Sequence, residues 1–235
     1  MKTCVLLCGI LLTSVLPAEE KELHSAIKPA PRQGDWWKKR HESFNTRIAK
    51  GKVNLVFIGD SITQAWENAG KKAWEKHFAK LGAVNLGISG DRTQHVIWRL
   101  QNGNLKNITP KAAVIMIGTN NSGSNTSEEI AEGVAHIAKV LRTKSPKTKV
   151  LLLAIFPRGP NRSDTRRLVN EKANVIFSKL ADGKNIYYLD IGNHFLEANG
   201  TLSKKIMPDL LHLSEQGYAI WAEAIEAKVG QLMAN

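Results

Sequence analysis

The sequence predicts an α/β protein, a three-layer α/β/α sandwich around a roughly five-stranded parallel sheet. Three observations predict it. Five apolar stretches, residues 53–58, 83–86, 112–117, 150–156 and 185–191, lack polar–apolar alternation, as strands buried on both faces do. Amphipathic stretches of helical period separate them, so strand and helix alternate. The composition, 43% apolar and 23% charged over 235 residues, is that of an ordinary globular chain. A chain this long buries roughly 70% of its unfolded surface and needs no disulfide or metal to build a core.

Residues 1–18 read as a signal peptide. Lys2 precedes an apolar run over 4–16, and Pro17-Ala18 then precedes Glu19-Glu20. The run has 13 residues, short of the ~18–20 that a membrane span needs. Cleavage after Ala18 would leave a secreted or periplasmic protein with no membrane span. Both cysteines, Cys4 and Cys8, fall in this leader. Disulfides, thiolate metal sites and cysteine nucleophiles are thereby excluded from the rest of the chain.

Residues 19–34 are a polar arm containing Pro29, Pro31 and Gly34, and the globular domain spans 35–235. Asp35 is placed to cap a helix reaching about residue 50, with Trp37, Phe44 and Ile48 on one face. Further helices are expected near 61–80, 93–102, 127–144, 163–181 and 214–233. Ser127 is the expected cap of the third of these five. Glu128 and Glu129 suit its first turn, although the third residue after the cap is Ile130. Pro146 and Gly183 mark two helix ends. There is no internal repeat, low-complexity tract or second domain.

The net charge is +12, of which the leader carries one through Lys2. The remaining basic residues are scattered, without interleaved aromatics or a nucleic-acid motif. This charge implies solubility and attraction to anionic surfaces; nucleic acid is not an expected partner.

In an open parallel sheet, ligands bind beyond the carboxyl ends of the strands, so the loops there are informative. Gly59-Asp60-Ser61-Ile62-Thr63 follows the first strand. It sets Ser61 at a helix start, either as a nucleophile beside backbone N–H donors or as a plain N-cap. Gly87-Ile88-Ser89-Gly90-Asp91-Arg92-Thr93 follows the second strand, either an exposed turn whose N–H groups can point outward or a plain strand-to-helix turn capped by Asp91 or Thr93. Gly118-Thr119-Asn120-Asn121 follows the third and offers a side-chain amide. Near the C-terminus, Asp209 lies three residues before His212, ahead of the last helix. That spacing lets a carboxylate hold one imidazole nitrogen while the other acts as a base. His24, His41, His77, His95, His136 and His194 lack such a partner and read as surface or core residues.

The four loops together resemble the SGNH hydrolases, the GDSL esterases and lipases, over about residues 53–227. The resemblance is nearest to the branch of the catalytic α subunits of intracellular platelet-activating factor acetylhydrolase and their bacterial relatives. Beyond the loops above, it is carried by His95-Val96-Ile97-Trp98-Arg99-Leu100, Pro157-Arg158-Gly159 and Asp209-Leu210-Leu211-His212-Leu213-Ser214. It implies a flavodoxin-like fold and a cofactor-free, metal-free serine esterase. Ser61 would be the nucleophile, His212 the base and then the acid, and Asp209 its orienting partner. The Ser61 and Gly90 N–H groups and the Asn120 amide would form the oxyanion hole. An exported chain departs from the intracellular animal enzymes and fits relatives that deacetylate polysaccharides. The expected substrate is therefore a small or polysaccharide-borne acetyl ester. A lysophospholipase or thioesterase, or a non-catalytic carbohydrate-binding module on the same fold, is the alternative. Relatives also pair as homodimers, although no interface is visible here.

Four further residues are candidates for the substrate pocket. Ile62 and Leu211, bulky and next to Ser61 and His212, would close a small acyl pocket. Trp66, one turn past Ser61, is the tryptophan best placed to stack on a sugar. Arg158 either borders the cleft or is a surface arginine.

Overall fold

The computed structural model describes residues 23–234; the leader and its cleavage site lie outside them. Among the described residues the first element is α1 (Asp35–Ala49), after which strand and helix alternate. In order follow β1 (Leu55–Gly59), α2 (Ser61–Gln64), α3 (Lys71–His77), β2 (Ala83–Gly87), α4 (Thr93–Gln101), β3 (Ala112–Met116) and α5 (Ser127–Lys144). Then come β4 (Lys149–Leu153), α6 (Thr165–Phe177), β5 (Ile186–Leu189) and α7 (Glu215–Ala234).

The five strands form one parallel sheet in the order β2-β1-β3-β4-β5. β1 pairs with both β2 and β3, so the sheet reverses its winding beside β1, where such folds hold their ligands. Successive side chains on β1 enter different cores. Val56 and Ile58 pack with residues of α1, α4, α5 and α6. Leu55 and Phe57 pack with residues of α3 and α7. Both faces are thus covered, which is why the strands read as unbroken apolar runs.

Three local expectations are corrected. The helix expected over 61–80 is the short α2 and α3 joined by 3₁₀ turns, with the chain bending at Asn68 (φ −121°, ψ −99°). The bend lets Trp66 and Trp74 both reach one aromatic cluster with Phe57 and Phe78. The cap of α5 is Thr126, one residue before Ser127. Its hydroxyl accepts from the Glu129 N–H, and Glu129 accepts in return from the Thr126 N–H, a reciprocal capping box. Asp35 lies inside α1, whose N-cap is Gly34, with no side-chain cap.

The described part of the arm is docked. Ala26 and Ile27 are buried, the Ala26 carbonyl accepts from Thr93 Oγ1 at 2.7 Å, and Asn125 Nδ2 donates to Ser25 Oγ at 2.9 Å. These bonds tie the arm to the start of α4 and the loop before α5. The long connection from β5 to α7 is anchored too. Phe195, Leu202 and Met207 are buried, and Leu196 bridges Leu202.

Candidate active site

Gly59 ends β1 where the next turn crosses so closely that an added Cβ would sit 2.3 Å from the Met116 carbonyl oxygen and 2.1 Å from Thr63 Oγ1. Only glycine allows that exit. Asp60 then caps α2, its Oδ1 accepting the Ile62 N–H at 3.0 Å. Ser61 is therefore the first helical residue, and its cap is Asp60. Since α2 is a single turn, nearby N–H groups rather than a long helix dipole are available to a developing anion.

Ser61 Oγ lies 2.9 Å from His212 Nε2, across 151 residues of sequence. His212 Nδ1 lies 2.6 Å from Asp209 Oδ2. Asp209 Oδ1 accepts the N–H groups of Leu211 (3.0 Å) and His212 (2.7 Å), so both carboxylate oxygens are committed and the turn is fixed. Leu210, at the centre of that turn, takes the left-handed conformation (φ 61°), which costs energy for a branched side chain. Burial pushes the Asp209 carboxyl up, but hydrogen bonds from His212 outweigh it and hold the pKa below the usual value. An ionised Asp209 fixes the proton on Nδ1 and leaves the Nε2 lone pair facing the Ser61 hydroxyl. A hydroxyl, an imidazole and a carboxylate in this series can transfer a proton during attack on an ester carbonyl.

Two further elements reach the same rim. Gly90 has φ +74° and lines a cleft together with Asn120, Leu211 and Arg158. Asn120 Nδ2 donates to the Asp91 carbonyl at 2.9 Å, using one of its two hydrogens and locking the third-strand loop to the second. Beneath them is a buried ion pair, Arg99 Nε to Asp91 Oδ2 at 2.8 Å, with Trp37 Nε1 donating to Asp91 Oδ1 at 2.7 Å. Arg99 also donates to Asn104 Oδ1 at 2.8 Å. The arm adds Arg32, which donates to the Ser89 carbonyl. That carbonyl shares a planar trans peptide with the Gly90 N–H, so fixing one aims the other in the opposite direction.

Two pocket candidates belong elsewhere. Trp66 is 1% exposed and packs edge-on or tilted against Tyr218, Trp221 and Phe57, so it is core and cannot meet a sugar. Ile62 is also 1% exposed, packed in the same core, with its carbonyl accepting the Tyr218 hydroxyl at 2.6 Å. Leu211 and Arg158 do line the cleft. Three residues escaped sequence reasoning. Arg32 acts through a contact 57 residues away in sequence, Arg99 through a buried pair with Asp91 that no periodicity reveals, and buried Asp60 sits next to Ser61. Burial raises the Asp60 pKa to about 7, and its Oδ2 has no partner. Among the described residues no cluster of His, Cys, Asp or Glu could hold a metal, and no helix is long and apolar enough to cross a membrane.

A doubly wound parallel sheet carrying a serine–histidine–aspartate series at its carboxyl edge defines an ester hydrolase of the three-layer α/β class. A family model described as the GDSL-like lipase/acylhydrolase family matches residues 57–220. The chain belongs to that family, the SGNH hydrolases. It is 37% identical over 202 residues to platelet-activating factor acetylhydrolase IB subunit alpha2 of Rattus norvegicus, covering 85% of this chain and 86% of the relative. Among solved structures, it resembles a GDSL-like lipase from Bacteroides thetaiotaomicron (TM-score 0.64, 22% identity, 82% of this chain and 97% of the other). It also resembles a carbohydrate acetylesterase family member from Sinorhizobium meliloti (TM-score 0.62, 13% identity, 78% and 100%).

Proposed function

We propose that the protein is a serine esterase that removes short acyl groups, acetyl above all, from an acetylated carbohydrate outside the cytoplasm. The observation that carries the chemistry is the unbroken series Ser61 Oγ–His212 Nε2 at 2.9 Å and His212 Nδ1–Asp209 Oδ2 at 2.6 Å. Ser61 attacks the ester carbonyl as His212 takes its proton. The Ser61 and Gly90 N–H groups and the free hydrogen of the Asn120 amide meet the charge growing on the carbonyl oxygen. His212 protonates the departing alcohol, leaving an acyl-Ser61 ester. Water, deprotonated by the same imidazole, attacks that ester; the acid leaves, and the proton returns to Ser61.

Acetyl preference is supported by the Rattus norvegicus relative, an acetylhydrolase by name and 37% identical to this chain. Export is supported by the leader pattern of residues 1–18. A p-nitrophenyl ester series tests the reading. Acetate should be hydrolysed faster than octanoate, and Ser61→Ala should abolish turnover. Equal or faster octanoate hydrolysis would overturn the acyl assignment, and turnover surviving in Ser61→Ala would overturn the nucleophile. The mammalian relatives, named for hydrolysis of platelet-activating factor, favour a second reading on an acetylated phospholipid. Acetyl release from acetylated xylan set beside that lipid decides between the two.

A further inference from the structure

The cleft beside the Gly90 and Asn120 donors is lined by three arginines, Arg92, Arg158 and Arg166. Most other arginines around this rim are paired. Arg99 and Arg32 face Asp91, and Arg162 and Arg167 both meet Glu171. Among the described residues, Arg92, Arg158 and Arg166 have no carboxylate within ion-pair distance. The Arg92 guanidinium donates to Ser124 Oγ (3.1 Å). Arg158 Nη1 donates to Thr119, and its buried Nε has no partner. Arg166 lies exposed over Gly123, where an added Cβ would come 3.3 Å from its Nη2. Arg158 is destabilised as a cation first by burial and then by the like charge of Arg166, against which Asp164, Asp209 and Asp60 act. Each of those three acids already has a place in the fold or the site. Asp60 caps α2, Asp164 Oδ1 caps α6 through the Arg167 N–H at 2.9 Å, and Asp209 holds His212. Three planar guanidiniums converging on one polar hollow, with donors unspent, suit a carboxylate, sulfate or phosphate.

We infer that the cleft formed by Arg92, Arg158 and Arg166 binds an oxyanion on the alcohol half of the substrate, so that the enzyme deacylates acidic acetyl esters in preference to neutral ones. The inference rests on the esterase reading and narrows its substrate class. The excess positive charge of the whole chain, +12, draws such esters toward the surface.

The test compares kcat/KM on the acetyl ester of a methyl uronoside, the same ester of the neutral methyl glycoside, and an acetyl ester of glycerol phosphate. Hydrolysis of p-nitrophenyl acetate serves as the uncharged control. At least one acidic ester should exceed the neutral one by about tenfold or more, chiefly through KM, with the advantage shrinking as salt rises. Which acid gains more identifies carboxylate or phosphate as the ligand. Within each of Arg166→Gln and Arg92→Gln, the acidic-to-neutral ratio should fall toward one; the exposed Arg166 can be changed without loss of the fold. Equal kcat/KM on acidic and neutral esters, or a preference that persists in both variants, overturns the inference. Failure to hydrolyse even p-nitrophenyl acetate would instead overturn the esterase reading beneath it.

Discussion

Replacing Asp209 by asparagine tests the proton arrangement at the site without removing its geometry. Asp209 Oδ1 accepts two backbone N–H groups, and only an oxygen can keep both bonds. The amide of an Asp209→Asn side chain must therefore turn its NH₂ toward His212 Nδ1, which becomes an acceptor. The ring proton then moves to Nε2, and the lone pair that should take the Ser61 proton is gone. In a deeply buried triad this change costs about 10⁴ in kcat. Here the side chains of His212 and Asp209 are 41% and 57% exposed, so water competes for Nδ1 and softens the penalty. The expected loss is about 10³, or about 4 kcal/mol at 1.36 kcal/mol per decade. Asp209→Ala leaves both tautomers open to water but also removes the acceptor of the 209–212 turn, so its melting temperature should fall while that of Asp209→Asn holds. Steady-state hydrolysis of p-nitrophenyl acetate and thermal melts read both effects. If Asp209→Asn keeps more than about a tenth of wild-type kcat/KM with an unchanged melt, Asp209 does not set the tautomer.

Four more outcomes are expected. Asn120→Ala should lower kcat by about 10²–10³ with little change in KM; a loss under about threefold would remove this amide from the oxyanion hole. Arg32→Ala should lower kcat by about tenfold at unchanged KM and melting temperature, because the Ser89–Gly90 peptide loses its anchor, and Arg32→Lys should recover part of it. A matched rise in KM, or no kinetic change, would deny Arg32 that positioning role. Arg99→Met removes the nearer cation of the buried Asp91 carboxylate, leaving Arg32 at 3.8 Å, and should cost about 3 kcal/mol in urea unfolding; under about 1 kcal/mol would show the pair is not needed. The fourth concerns pH. Burial raises Asp60 to about 7, so its share of stability falls as pH rises from the usual carboxylate value toward 7. Burial lowers His95 to about 4, so its share is lost as pH falls from 6.5 toward 4. The two slopes oppose each other, and Asp60→Asn should make stability rise with pH across this window; an unaltered pH profile of the melting temperature would refute the assignment.

The strands were legible because each central one is buried on both faces, and a continuous apolar run such as residues 112–117 suits a strand covered on both sides. The positions of Ser61, Gly90 and Asn120 were legible for a related reason: each lies just beyond a strand. The Asp209–His212 spacing was visible as a local pair. What periodicity could not show was direction. Ile62 and Trp66 turn inward because Tyr218 and Trp221, more than 150 residues away, build the cluster that receives them. The helix break at Asn68 has the same origin, since one straight helix could not deliver Trp66 and Trp74 to one cluster. Arg32 looked like part of a polar arm, and only its contact with Ser89, 57 residues on, gives it a role.

Ser61, Gly90 and Asn120 hang from three neighbouring strands, β1, β2 and β3, whereas Asp209 and His212 ride on the connection into α7. That connection is fastened near its tip by the Gly159 N–H to the Leu210 carbonyl (2.9 Å) and the Ser214 N–H to the Ile206 carbonyl (2.8 Å). Warming should therefore detach His212 before the loops after β1, β2 and β3 come apart, since even an anchored connection lacks the continuous hydrogen-bond ladder of a central sheet and opens at lower free energy. Inactivation would then precede melting and reverse on cooling, leaving a protein that still grips its ligand yet has no proton acceptor.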